Sequence, residues 1–509
     1  MEKTIVIGGG RLTRADVLAV ARKHCPVKLA EEALALMRES RALVDKCVEE
    51  HRVVYGLTTG FGQFSNVSIS KEDAFTLQEN LIMSHACGVG DPLPEEVVRA
   101  MMLLRVNALS VGNSGIRTET VETLAEMLNR GVIPVVPAKG SLGASGDLVP
   151  LAHMALVLIG LGEAFWNGER MAGGQAMERA GLEPVRLTSK EGLALINGTQ
   201  AMTALGALAV SDARVLMKTA DVIGALTMES QFGIIDAMDP RLQELRRQPG
   251  QMAVAENMRR LLAGSAKISR QGQIRVQDAY VLRCIPQIHG PGREAIEYVG
   301  AMIDREINAV TDNPIIFPDT DQAISGGNFH GEYLSMGLDF LGIALAEFAD
   351  VSERRIERLV NPALSNLPAF LVKNGGLNSG MMIAQYTAAA LVSENKVLAH
   401  PACVDSIPSS ANQEDHVSMG MTAARKAREI LSNAVNVLAI ELMCAAQAIE
   451  FNGARGLAPA TAAVYNKVRE EVTALEEDRV LYTDIEKCAA LVRSGAVLDA
   501  AEGAVGPLL

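Results

Sequence analysis

The most distinctive chemistry in the chain lies in one block, Gly140-Ser-Leu-Gly-Ala-Ser-Gly-Asp-Leu-Val-Pro-Leu-Ala152, and within it in Ala144-Ser145-Gly146. If the backbone bends sharply there, the amide nitrogen of Gly146 can attack the carbonyl carbon of Ala144, because glycine has no side chain to block the approach. Loss of water closes a five-membered ring. Loss of the Ser145 hydroxyl as a second water leaves an exocyclic methylidene. The product, a 4-methylidene-imidazol-5-one, has an electrophilic carbon that no standard side chain offers. The plain structural alternative is a tight turn capped by Asp147.

Other reactive residue types are spread along the chain. Tyr55-Gly-Leu-Thr-Thr-Gly-Phe-Gly62 is a glycine-rich loop able to bring backbone close to a ligand. The eight histidines are scattered, and His85, His330 and His416 lie near other polar residues. No H-e-x-x-H or comparable ligand spacing appears, so no metal is expected.

The block around Ala144 resembles that of the aromatic amino acid lyases, with Gly143 before the triplet and Asp147-Leu148-x-Pro-Leu-Ala after it. The resemblance extends from about Tyr55 to beyond Met419. Tyr55-Gly-x-x-Thr-Gly-Phe-Gly62 is similar to the family's N-terminal loop and Asn197-Gly198-Thr199 to its asparagine segment. Gln277-Asp278-Ala279-Tyr280-Val281-Leu282-Arg283, Gly327-Asn328-Phe329 and Asn412-Gln413-Glu414-Asp415 follow in the family's order. Several separated motifs in order are far more specific than any one of them. Ser84-His85 and Glu414 resemble the histidine-directed members. One departure is Gly331-Glu332-Tyr333, where those members usually read Ala-Glu-Pro.

The resemblance implies elimination of ammonia from L-histidine to give trans-urocanate, the first step of histidine degradation. The electrophile is a methylidene-imidazolone formed autocatalytically from Ala144, Ser145 and Gly146, with no metal or dissociable cofactor. The substrate's amine or its ring could add to such an electrophile, and amine addition spares the ring's aromaticity. Tyr55 is implied as the base for the β-proton. A phenol's ordinary pKa of about 10 must then be drawn toward neutrality, which takes ~4 kcal/mol of preferential phenolate stabilisation.

Arg283 suits a carboxylate, because its guanidinium fork binds one bidentately. Asn197 suits the carboxylate or the imidazolone oxygen. Tyr280 and Gln277 would donate hydrogen bonds, Phe329 would pack on the substrate ring, and His85 with Glu414 would meet the imidazole nitrogens. Each has a bland counterpart: a packing tyrosine, a solvated arginine, a structural histidine, or a Glu414 paired with Arg425. Family alternatives are a tyrosine or phenylalanine ammonia-lyase or a 2,3-aminomutase. A non-enzymatic helical scaffold is the distant one, although the fumarase superfamily's Gly-Ser-Ser-x-Met-Pro signature is absent. The resemblance also implies a homotetramer with active sites shared between subunits.

The elements that must position these residues are mostly helical. Thr13 with Asp16 three residues on reads as a helix cap. Ala33, Met37, Val44 and Val48 line one face of a second helix. Helical spacing runs from Lys71 to Val111, and the loop Pro134–Pro150 interrupts it. Long helical stretches follow, and residues 420–453 contain no internal Gly or Pro. The opening Thr4-Ile-Val-Ile7 with Gly8-Gly9-Gly10 fails as a dinucleotide fingerprint. Thr13 stands where a third glycine is needed and no βαβ pattern is expected, so the opening reads as a short strand and a turn. The expected fold is mainly α, a fumarase/aspartase-like bundle of long helices (111–509) with a smaller N-terminal part (1–110).

Composition agrees. Of 509 residues, 49% are hydrophobic and only 4% aromatic, so Ala, Leu, Val and Met must form a closely packed helical core. A net charge of −13 argues against nucleic-acid binding, which needs a basic footprint. No stretch is expected to span a bilayer, Met154–Leu161 being too short and Asn436, Glu441 and Gln447 interrupting the apolar run of 420–453. Seven cysteines without C-x-x-C spacing read as reduced thiols, and with no signal-like start the chain is expected in the cytoplasm.

Overall fold

A computed structural model describes residues 4–54, 56, 57, 59 and 74–509, and Tyr55 falls outside them. The chain is mainly helical, with four helices of more than twenty residues among the described residues: Gln200–Ser230, Ile285–Glu306, Glu332–Val360 and Gly420–Asn452. It divides into two compact units, one of residues 1–208, 300–338 and 401–425, the other of residues 209–299, 339–400 and 426–509. The expected N-terminal part and the Ala144 loop fall in the same unit.

In the first unit, Thr13 caps the helix Arg14–Lys23 in a reciprocal capping box with Asp16. The helix Glu31–Glu49 buries Ala33, Met37 and Val44. Contrary to expectation, a βαβ unit does form. Ile5–Ile7 and Val27–Leu29 pair in parallel around the first helix. Strands of three residues are too short to leave a period in the sequence. Gly8, at φ +82°, lets this turn pack on the second helix, since a Cβ there would lie 2.3 Å from that of Ala33. The stretch 71–111 is likewise not helical throughout. The strand Val89–Pro92 separates Ala74–His85 from Glu95–Ser110 and pairs with Pro137–Lys139.

In the second unit, helical segments converge on buried polar groups. Glu441 accepts from Thr227, Ser352 and Arg355. From Val437 to Ile449 every residue is buried. By length and composition two stretches do reach membrane-span hydropathy, Glu191–Ser230 and Gly420–Asn452, which corrects the sequence expectation. Their apolar windows are 100% and 83% buried inside the protein, as core helices are.

Candidate active site

Ala144-Ser145-Gly146 lies in the first unit between Pro137–Lys139 and the helix Leu148–Leu158. Three further helices begin beside it, at Gln200, Glu332 and Gly420. Several peptide groups of the loop are held by hydrogen bonds, some from distant parts of the chain. Gly331 N–H donates to the Ala144 carbonyl at 2.9 Å, and Ser418 N–H to that of Gly143 at 3.4 Å. The Ser141 hydroxyl donates to the Gly146 carbonyl at 2.6 Å. Ala144 N–H donates to Glu414 Oε2 at 3.2 Å. Ser145 is 3% exposed, so its hydroxyl can leave without competition from bulk water.

The glycines fit a bent loop. Gly146 has φ +84°, and a Cβ there would come within 3.2 Å of Met202 Sδ and 3.3 Å of Ser418 Oγ. Gly143 has φ +117°, and a Cβ would lie 2.7 Å from Glu414 Oε2. Both conformations favour glycine. The space around the triplet is therefore a close cradle that suits a compact ring.

Asp147 does not cap the helix that follows it. It is fully buried, and its Oδ2 accepts from Ala201 and Met202 N–H at 2.7 and 2.9 Å, at the start of Gln200–Ser230. Its Oδ1 has no partner among the described residues. Burial pushes its carboxyl up to about 8, although those two N–H donors and Arg105 pull the other way. Asp147 N–H in turn points to Ser145 Oγ at 3.3 Å.

Behind the Asn197 turn lies a dry set of charges. Arg105 donates to Gln200 Oε1 and to the Ala194 carbonyl, and Lys190 pairs with Asp312 at 2.7 Å. Gly198 packs tightly among these groups, since a Cβ there would lie 2.2 Å from Gln200 Oε1 and 2.4 Å from Arg105 Nη1. Asn197 is 7% exposed, with Nδ2 3.4 Å from the Asn313 carbonyl. Sequence reasoning passed over Arg105, although a lone arginine in the apolar run Met101-Met-Leu-Leu-Arg-Val106 is a readable signal.

His85 ends the helix Ala74–His85, and its Nδ1 lies 2.8 Å from the Leu81 carbonyl. A carbonyl only accepts, so Nδ1 carries the proton and the neutral ring leaves Nε2 as an acceptor. Burial lowers the His85 pKa, while the Leu81 bond and the charge of nearby Glu414 raise it. His85, Ala144-Ser145-Gly146, Asn197, Phe329 and Glu414 thus all belong to the first unit. Gln277, Tyr280 and Arg283 belong to the second. There Gln277 and Arg283 line a pocket of about 330 Å³, and Arg283 stacks over the Tyr280 ring at 4.6 Å. Tyr280 is 69% exposed. Asp278 anchors the segment by accepting from Ile234 N–H and Arg275, each at 2.5 Å.

Residues 12–470 match the aromatic amino acid lyase family. A histidine ammonia-lyase of Alkaliphilus oremlandii is 62% identical, over 99% of this chain and 99% of its own. The solved histidine ammonia-lyase of Trypanosoma cruzi is 44% identical with a TM-score of 0.92, over 99% of this chain and 96% of its own. The tyrosine aminomutase of Streptomyces globisporus has a TM-score of 0.95 at 36% identity, both chains being covered in full. With a match spanning most of its length and a loop built to bend at Ala144-Ser145-Gly146, the chain belongs to the aromatic amino acid lyase family.

Proposed function

We propose that this chain is an ammonia-lyase converting L-histidine to trans-urocanate, with a methylidene-imidazolone made from Ala144, Ser145 and Gly146. The observation that carries the substrate choice is the pairing of His85 and Glu414 beside the loop. The bare Nε2 of His85 and the carboxylate of Glu414 both accept. The substrate ring meets both as an imidazolium, with an N–H at each nitrogen, and a phenyl ring has no donor for either. The relatives named as histidine ammonia-lyases agree with this reading.

Bound to the protein, the prosthetic group supplies an electrophilic carbon. The chain's own residues do the rest. Tyr55 removes the β-proton. Arg283 holds the substrate carboxylate, with Asn197, Gln277 and Tyr280 donating hydrogen bonds around it. Phe329 packs on the ring, and His85 with Glu414 fixes its orientation. Arg283, Tyr280 and Gln277 act on a site completed by another subunit of a homotetramer. The exposure of Tyr280 supports this, as do the exposed apolar side chains of Tyr298, Phe340, Ile343, Tyr386 and Val397, which a second chain would cover. Light scattering reads the mass. Mixing Tyr55→Phe with Arg283→Ala chains restores activity if sites are shared. Cytoplasmic residence suits seven cysteines that form no disulfide among the described residues.

A spectrophotometric assay offering histidine, tyrosine and phenylalanine separately tests the function. Sites built to hydrogen-bond a polar substrate reject analogues lacking those groups by about 10⁴–10⁵ in kcat/KM. Histidine is expected to lead by that order, and His85→Leu to narrow the gap. Comparable turnover of tyrosine or phenylalanine by the parent protein would overturn the substrate choice.

A further inference from the structure

We infer that the backbone N–H of Gly331 is the oxyanion donor for closure of the Ala144-Ser145-Gly146 ring. The inference rests on the proposed cyclisation and assigns it a catalytic group. Among the loop carbonyls only that of Ala144 is the electrophile, and it is the one that Gly331 N–H reaches, at 2.9 Å. Gly331 also starts a helix. Its own carbonyl accepts from Ser335 N–H at the head of Glu332–Val360, so the donor stands at the positive end of a 29-residue helix.

In the first step the lone pair of Gly146 N forms a bond to Ala144 C. The carbonyl π pair moves onto the Ala144 oxygen, where negative charge develops against Gly331 N–H. The Gly146 proton then passes to that oxygen. The resulting hydroxyl leaves with the Ser145 N–H proton as the first water, forming the ring C=N bond. Ser145 Oγ leaves with the Cα proton as the second. A donor fixed in a buried site before charge develops stabilises it without reorganisation.

Two further observations place this donor rather than another. Ala144 N–H is bound to Glu414, so residue Ala144 is held on both sides, at its own N–H and at its carbonyl. Gly331 lies so close that a Cβ would be 2.6 Å from Ser145 O and 2.6 Å from Met202 Cε. Because the Ala144 oxygen departs in the first water, the hydrogen bond exists only before maturation. Its contribution is therefore to making the prosthetic group, and the mass of the chain reads it without any turnover.

The test follows intact mass at intervals after cell-free synthesis of three full-length chains. These are the parent, a chain with glycolate in place of Gly331, whose ester linkage lacks the N–H, and Gly331→Ala. Circular dichroism and size are recorded alongside. The ester chain is expected to lose its two waters about 10²–10³-fold more slowly than the parent, the usual effect of deleting one oxyanion donor. Gly331→Ala keeps the donor but must shift it, and its rate is expected to fall between the two. A folded ester chain maturing at the parent's rate would overturn the inference. So would Gly331→Ala maturing more slowly than the ester, because space rather than the hydrogen bond would then govern the step. A parent that never loses two waters would instead overturn the cyclisation itself.

Discussion

Two buried polar regions, one in each unit, are built on opposite rules. In the second unit, Arg355 and Glu441 are both 0% exposed, and the guanidinium donates two hydrogen bonds to the carboxylate, at 2.5 and 2.8 Å. His289 bonds Asp221 through Nδ1 at 2.7 Å and meets Arg355 through Nε2 at 3.3 Å. Asp221 also accepts from Asn257. Each of these four groups has its partner, and the cluster ties helices together. In the first unit, Asp147 is as deeply buried, yet one of its oxygens has no partner among the described residues, beside a loop with left-handed glycines and a hydroxyl sealed from water. Buried polarity with every partner present is scaffold. Buried polarity with a gap lies beside the backbone proposed to cyclise.

The largest effect that sharpens this contrast is on the scaffold side. Glu441→Gln leaves Arg355 buried without its counter-charge, and breaking a buried pair in this way costs about 3–5 kcal/mol. Urea unfolding should show that loss, while chains that do fold should still be lighter by two waters. A Glu441→Gln protein as stable as the parent would erase the distinction between the two regions.

On the chemical side, Asp147→Asn probes the strained carboxyl through pH. Its pKa is raised from 3.8 to about 8 by burial, so the folded state holds a proton that the unfolded chain has already released. The contribution of this carboxyl to stability is therefore fully present below pH 3.8 and is lost as pH rises toward about 8, by an amount of order a few kcal/mol. Asparagine can keep both N–H bonds through its amide oxygen and has no proton to lose. The gap in unfolding free energy between variant and parent should widen from acid to neutral pH. A gap that stays constant would mean that Asp147 is ionised in the folded protein.

Gly143→Ala should have the smallest effect on stability, about 1–3 kcal/mol for a side chain at positive φ. Its Cβ must also displace Glu414, 2.7 Å away, which should slow maturation. Thermal unfolding and intact mass read the two effects separately. An alanine chain with unchanged melting and unchanged maturation would show that the loop is not under the constraint described.

Much of this was legible in the sequence where the signal is local. Thr13 with Asp16, the apolar face of Glu31–Glu49 and the uninterrupted run to Asn452 follow from side-chain spacing alone. The triplet stood out because the chemistry proposed for it depends on three adjacent residues. What stayed hidden depends on distance along the chain. Asp147 serves a helix that starts at Gln200, Glu414 reaches back to Ala144, and Gly331 was visible only as a departure from the family's wording. No periodicity announces such bonds. The first strand was legible as the short strand before Gly8, but its parallel partner Val27–Leu29 and the strand Val89–Pro92 escaped because they are shorter than the window in which alternation can be seen. The placement of Gln277, Tyr280 and Arg283 in a separate unit likewise needed coordinates.

Peptide mapping by mass spectrometry of catalytically active protein tests the central claim most directly. The peptide containing Ala144-Ser145-Gly146 should be lighter than its sequence by two waters, with the loss confined to those residues. An active protein in which that peptide keeps its full mass and an intact Ser145 would contradict the account.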